Sequence, residues 1–239
     1  MEKLRVLCLH GYQGSAQVLR RQMAALADGL DDVAAFVYLD APSLAAGGVG
    51  WWRAVTAQNA MTPTNVGVGP GAKRYEGWQK TRDAIVSAFA EQGPFDGLFG
   101  FSQGAALAAL LVGLRARDEL VVSGPAGPAG RTSCSEKSLA FDFAVMVGGF
   151  VAADADLARL YGEGASYDLP SAHIIGRSDA VVPRETSLGL ASKFNNPLIL
   201  EHEGGHVISR APQIRQGLRA FLEELRQRKR AHSLARSRT

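Results

Sequence analysis

Gly100-Phe101-Ser102-Gln103-Gly104 follows an apolar run, Phe95-Asp96-Gly97-Leu98-Phe99, and precedes a second one, Ala105-Ala106-Leu107-Ala108-Ala109-Leu110-Leu111. The first run is short and strand-like, and the second is helix-like. Between them stands a G-x-S-x-G pentapeptide, the pattern that presents a serine hydroxyl on a sharp strand-to-helix turn. The glycines have a physical purpose there. A turn this tight crowds the positions flanking the serine, and glycine removes the side chains that would clash. Ser102 then sits at a helix N-terminus, where free N–H groups favour negative charge. Ser102 is the candidate nucleophile.

Outward from this turn, apolar strands and helices alternate. Strands are predicted at Leu4–Leu9, Ala34–Leu39, Phe95–Phe99, Phe141–Val147, Ser171–Gly176 and Pro197–His202, with helices over about 16–30, 77–92, 105–117, 184–193 and 209–228. Strands that are apolar along their length and separated by helices predict a doubly wound, mostly parallel α/β sheet of about six strands, covered on both faces. In such sheets function collects at the strands' C-terminal ends. Residues 43–76 read as a long irregular connection containing Trp51 and Trp52, which either wall an acyl pocket or anchor the loop to the core. Residues 122–138, with Gly124-Pro125-Ala126-Gly127-Pro128-Ala129-Gly130, are too poor in complexity to pack and read as a flexible insertion.

The 239 residues, 46% hydrophobic and 21% charged, suit one globular domain. Its main body is assigned to residues 1–225. No apolar run is long enough to span a membrane, and the first strand begins too soon for a signal peptide. Two cysteines, Cys8 and Cys134, make no disulfide framework and fit a reducing, cytoplasmic setting. The net charge of +3 is local in origin. Residues 226–239 hold six of the 26 basic residues and no acid, which leaves the body with 20 bases against 23 acids. This tail is expected to be disordered. Nucleic acid is not an expected partner, apart from weak, salt-sensitive binding through the tail.

A serine hydroxyl needs a base, and the base needs an acid to hold its ring. Of five histidines, only His206 lies in a loop past the last strand; His10 reads as a loop support, His173 and His202 fall within strands, and His232 is in the tail. Asp179, in the turn Gly176-Arg177-Ser178-Asp179 after the fifth strand, is favoured as the acid over Asp154 and Asp156, which follow the fourth. The order Ser102, Asp179, His206 matches a known chain order for such triads. The backbone N–H groups of Tyr12 and Gln103 are assigned to an oxyanion hole. Trp51, Trp52, Phe101, Phe150, Val181 and Val207 are expected around an apolar substrate site. No metal-ligand spacing occurs, and the chemistry needs neither metal nor organic cofactor.

Together, Leu9-His10-Gly11-Tyr12, Trp51-Trp52, Gly93-Pro94-Phe95-Asp96-Gly97, the elbow with Ala105-Ala106, Gly176-Arg177-Ser178-Asp179 with Val182-Pro183, and His202-Glu203-Gly204-Gly205-His206 resemble the FSH family of small serine hydrolases. The resemblance covers about residues 4–225. It implies an α/β-hydrolase fold without a large cap and hydrolysis of small-molecule carboxylic esters or thioesters. The alternatives are release of an acyl chain from a carrier and a binding module on a hydrolase fold. Nothing in the resemblance extends to residues 122–138 or to the basic tail.

Overall fold

The structure, a computed structural model, describes residues 2–44, 47–56, 73–122, 137–162, 164 and 166–236. Strand β1 (Leu4–Leu9) shows how the core is divided. Its side chains alternate, so Leu7 and Leu9 enter one buried cluster while Val6 and Cys8 enter another on the opposite face. Helix α1 (Ala16–Asp28) follows, and β2 (Ala34–Leu39) pairs parallel to β1. The start of α1 is capped twice. The Ser15 hydroxyl accepts from the Val18 N–H at 3.2 Å, and the Asp40 carboxylate accepts from the Ala16 N–H at 2.6 Å.

Within the connection predicted to be irregular, the chain forms two strands, β3 (Arg53–Thr56) and β4 (Lys73–Glu76), paired antiparallel. Each has four residues and buries one large side chain, Val55 or Tyr75. So short an alternation does not rise above the surrounding glycines and prolines. Residues 57–72 lie outside the described residues.

Helix α2 (Trp78–Gln92) leads into β5 (Gly97–Phe101) and α3 (Gln103–Ala116). Helix α3 is buried without a break from Gln103 to Leu114, which is why its sequence is apolar all round. Two short strands, β6 (Val121–Val122) and β7 (Lys137–Ser138), pair antiparallel; the rest of the proposed insertion falls outside the described residues. The chain continues through β8 (Phe143–Val147), a 3-10 turn (Ala158–Tyr161), β9 (Ser171–Gly176), α4 (Arg184–Ala191), β10 (Leu198–His202) and α5 (Pro212–Arg236).

The six-stranded sheet runs β10-β9-β8-β5-β1-β2, with every neighbouring pair parallel. Helices α1 and α5 cover one face, and α2, α3 and α4 cover the other. This is the predicted doubly wound architecture. The chain leaves β1 for β2 on one side and later returns to β5 on the other. The loops after β1 and β5 therefore open a crevice at the point where the winding reverses. Among the described residues no helix is long and apolar enough to cross a membrane.

The expectation of a disordered tail is corrected by α5, which continues through residues 226–236. Its basic residues meet acceptors on the body rather than only one another. Arg226 donates to the Asp32 carbonyl at 2.9 Å, Lys229 pairs with Glu2 at 2.9 Å and Asp96 at 2.8 Å, and Arg228 pairs with Glu224 at 2.5 Å. Each exposed pair is worth at most about 1 kcal/mol. The stretch also lacks proline and glycine and is rich in arginine, a good helix former, so propagating an existing helix costs little.

Candidate active site

Strand β5 ends at Phe101, and α3 starts two residues later, with Ser102 alone at the corner. Its backbone is in a region L-residues rarely occupy, φ 55° and ψ −116°. That conformation is held from both sides. The Ser102 N–H donates to the Val147 carbonyl at 2.8 Å, and its carbonyl accepts from Ala105 and Ala106 at 2.9 and 3.1 Å. The need for glycine is steric: a Cβ on Gly100 would lie 2.2 Å from the Gly104 oxygen, and one on Gly104 would lie 2.0 Å from the Leu9 oxygen.

Asp179 and His206 come from the loops after β9 and β10. The buried Asp179 carboxylate has one oxygen for each of two tasks. Its Oδ1 accepts from the Val181 and Val182 N–H groups at 2.9 and 2.8 Å, closing its own turn. Its Oδ2 lies 2.6 Å from His206 Nδ1. The imidazole also packs against Phe101, with ring centroids 4.9 Å apart. On its other side is Gly148, where a Cβ would sit 2.9 Å from His206 Cε1. His206 is thus fixed between the residue before Ser102 and the end of β8. The Ser102 hydroxyl has no hydrogen-bond partner among the described residues; such bonds often tighten only with substrate in place.

The remaining histidines have structural tasks. His10 Nδ1 lies 2.8 Å from the Gly11 carbonyl, and its Nε2 accepts from the Ala41 N–H at 3.1 Å, a pairing that one neutral tautomer satisfies. Burial lowers its pKa from the ordinary value, against the opposing effects of the Gly11 bond and Asp40. Burial in β9 lowers His173 to about 4. His202 Nδ1 accepts from the Gly204 N–H at 3.1 Å, and burial lowers its pKa too. His232 is exposed on α5, 2.9 Å from the Arg228 carbonyl.

The Gln103 side chain is engaged by the loop that carries Trp51 and Trp52. Its side-chain oxygen accepts from the Trp51 N–H at 2.9 Å, and its amide nitrogen donates to the Trp52 carbonyl at 2.9 Å. The glutamine of the elbow thereby pins the tryptophan loop beside the serine. Among the described residues, the backbone N–H groups of Tyr12 and Gln103 have no hydrogen-bond partner. Gln103 N–H is one of the free donors at the start of α3.

A cavity of about 580 Å³ opens at Ser102, lined by Tyr12, Trp52, Tyr75, Phe150, Val151 and Val181 among others. Three of the residues expected around the substrate are placed elsewhere. Trp51 is fully buried; its indole N–H donates to the His10 carbonyl at 2.7 Å and its ring stacks on His10, so it anchors the loop. Phe101, as an inward side chain of β5, backs the His206 ring. Val207 faces a separate recess beyond His206. Arg53, Lys73 and Tyr75 also line the Ser102 cavity, and sequence reasoning missed all three because β3 and β4 were not recognised. No clear alternation over residues 53–56 marks the strand in the sequence.

Asp154 is committed to holding β4. Its carboxylate, buried within the fold, accepts from Tyr75 at 2.6 Å, Asp156 at 2.9 Å and Leu157 at 3.2 Å. Asp156 is exposed, 4.0 Å from Arg74. Asp154→Ala strips a buried acceptor from three donors, so it should destabilise the protein by about 3 kcal/mol. Urea unfolding of the purified variant measures this. Esterase activity of the folded fraction should persist; unchanged stability with abolished activity would instead give Asp154 a chemical role.

The fold and this crevice define an α/β-hydrolase. A family model described as "Serine hydrolase (FSH1)" matches residues 1–217, and the chain belongs to that family. It is 33% identical over 227 residues to "Esterase OVCA2" of Xenopus tropicalis, covering 88% of each chain. It is 32% identical over 233 residues to "Esterase CG5412" of Drosophila melanogaster, covering 93% of this chain and 75% of that one. Among solved structures it resembles esterase PE8, with a TM-score of 0.53, 22% identity and 93% of both chains covered. The protein is an enzyme of the serine hydrolase class, and these relatives are named esterases.

Proposed function

We propose that Ser102, His206 and Asp179 hydrolyse acyl esters through a covalent acyl-enzyme, with an apolar acyl chain in the cavity at Ser102. The observation that carries this reading is the 2.6 Å bond from His206 to Asp179 beside the strained Ser102 corner. His206 Nε2 takes the Ser102 proton as Oγ attacks the acyl carbon. The Tyr12 and Gln103 N–H groups receive the negative oxygen, and Asp179 balances the imidazolium. Collapse of the tetrahedral species expels the alcohol, which leaves with the proton from His206. Water then repeats the sequence in reverse roles, releasing the acid and restoring Ser102.

The test is a series of esters and thioesters of increasing acyl length, assayed with native protein and with Ser102→Ala as the control. Each methylene that enters the apolar wall formed by Trp52, Tyr75, Phe150 and Val181 is worth about 0.8 kcal/mol, roughly fourfold in kcat/KM. Efficiency should rise from acetyl and level off once the cavity is filled. A flat profile across the series refutes the apolar acyl site. Thioesters of the same acyl chains test whether the site also cleaves the acyl–sulfur bond that release from a carrier would break. The buried free thiol of Cys8 fits the reducing cytoplasm as the setting for this reaction.

A further inference from the structure

Besides its apolar wall, the cavity at Ser102 has a charged one. Among its described lining residues are two cations, Arg53 of β3 and Lys73 of β4, and no acid. The two differ in how their charge is met. Arg53 donates to Glu76 across the hairpin at 2.5 and 3.1 Å, and the neighbouring Arg74 lies 4.0 Å from Asp156. Lys73 has no ion pair among the described residues. It is the one cation of the cavity whose charge is unmatched there.

The backbone that carries Lys73 is fixed to the body. Its carbonyl accepts from the Ala155 N–H at 3.0 Å, and two residues along, the Tyr75 N–H donates to Asp154 at 2.6 Å. The Tyr75 hydroxyl accepts from Ala153 at 2.7 Å, and its ring stacks on Trp52 with centroids 4.7 Å apart. A buried carboxylate, a tyrosine and a tryptophan therefore set the position of the strand from which Lys73 reaches the cavity. An apolar wall facing an unmatched ammonium on an anchored strand is complementary to an amphiphile with an anionic end.

We infer that this site selects esters or thioesters that carry a carboxylate or phosphate as well as an apolar chain, with Lys73 as the specificity-determining cation. The inference rests on the acyl-transfer reading of Ser102 and narrows its substrate class. The anion can belong to the acyl part, as in a hemi-ester of a dicarboxylic acid, or to the leaving group, as in a coenzyme A thioester.

The experiment compares matched pairs with the full-length protein. One pair is the 4-nitrophenyl ester of a dicarboxylic hemi-acid and its methyl-capped neutral analogue. The other is an acyl-coenzyme A and the same acyl N-acetylcysteamine thioester. The readout is the ratio of kcat/KM, anionic over neutral, for native protein, Lys73→Ala, Lys73→Arg and Lys73→Glu. In one of the pairs the native ratio should be about fivefold above that of Lys73→Ala, the upper range for a partly solvated ion pair. Lys73→Arg should keep the preference and Lys73→Glu should push the ratio below that of Lys73→Ala. The difference should lie in KM and shrink with added salt. The pair that responds identifies where the anion is. Equal ratios for native, Lys73→Ala and Lys73→Glu in both pairs, with neutral esters still cleaved by native protein, overturn this inference and leave the acyl-transfer reading intact. Failure of native protein to cleave any of the four substrates overturns both.

Discussion

Ser102→Ala should lose esterase activity by about five to six orders of magnitude in kcat, the scale seen when the nucleophile of a serine hydrolase is removed. The substitution deletes one oxygen and little else. The corner at φ 55° and ψ −116° is held by backbone bonds to Val147, Ala105 and Ala106, none of which involves the hydroxyl. Alanine bears some strain at positive φ, but serine already bears it, so the fold should survive with near-native thermal stability. Residual rate over water should persist, because the free N–H groups of Tyr12 and Gln103 stay in place to polarise a bound ester. A fluorophosphonate gives an independent readout. It should add once to native protein, at Ser102 by peptide mapping, and not to the alanine variant. Labelling of another serine with Ser102 untouched would falsify the mechanism.

Asp179→Asn should cost about four orders of magnitude in kcat, the effect of the same change in serine proteases. The local geometry says why an isosteric change is so damaging. The Val181 and Val182 N–H groups both point at Oδ1 and need an acceptor, so the asparagine oxygen must stay there. The amide nitrogen then faces His206 Nδ1 in place of Oδ2, which lies 2.6 Å away in the native site. Two donors cannot face each other, so the ring moves its proton to Nε2, the nitrogen required to accept from Ser102. The carboxylate that balances the imidazolium is lost as well. A variant with near-native kcat sinks the assignment. In the same assay Asp154→Ala should keep near-native kcat in its folded fraction, since its carboxylate is occupied by Tyr75, Asp156 and Leu157.

Much of the candidate site could be read in the sequence because its parts are local. The G-x-S-x-G corner needs two glycines whose absence of Cβ is enforced by backbone atoms a few residues away or on the adjacent strand. Asp179 and His206 each stand just past an apolar strand, and parallel winding brings all such ends to one edge of the sheet. The central strands β5 and β8 were visible because each is buried at every position and therefore apolar throughout, and the flanking strands because most of their residues are apolar. The β3–β4 hairpin was not, since it buries only Val55 and Tyr75 and its two strands are separated by residues 57–72.

The sequence by itself determined the class of fold, the corner that carries Ser102 and the identity of the residues after β9 and β10, because short-range periodicity and turn chemistry specify these. Only long-range packing fixed which aromatic residues line the cavity at Ser102. Trp51 and Trp52 are neighbours of the same type and both are buried, yet one donates to the His10 carbonyl while the other lines the cavity, and Gln103 holds the peptides of both. It also decided that Asp154 holds a strand, that α5 runs on through a basic segment whose partners lie on distant parts of the chain, and that Lys73 reaches the cavity. In each case the deciding contact joins residues dozens of positions apart, and no local pattern encodes such a pairing.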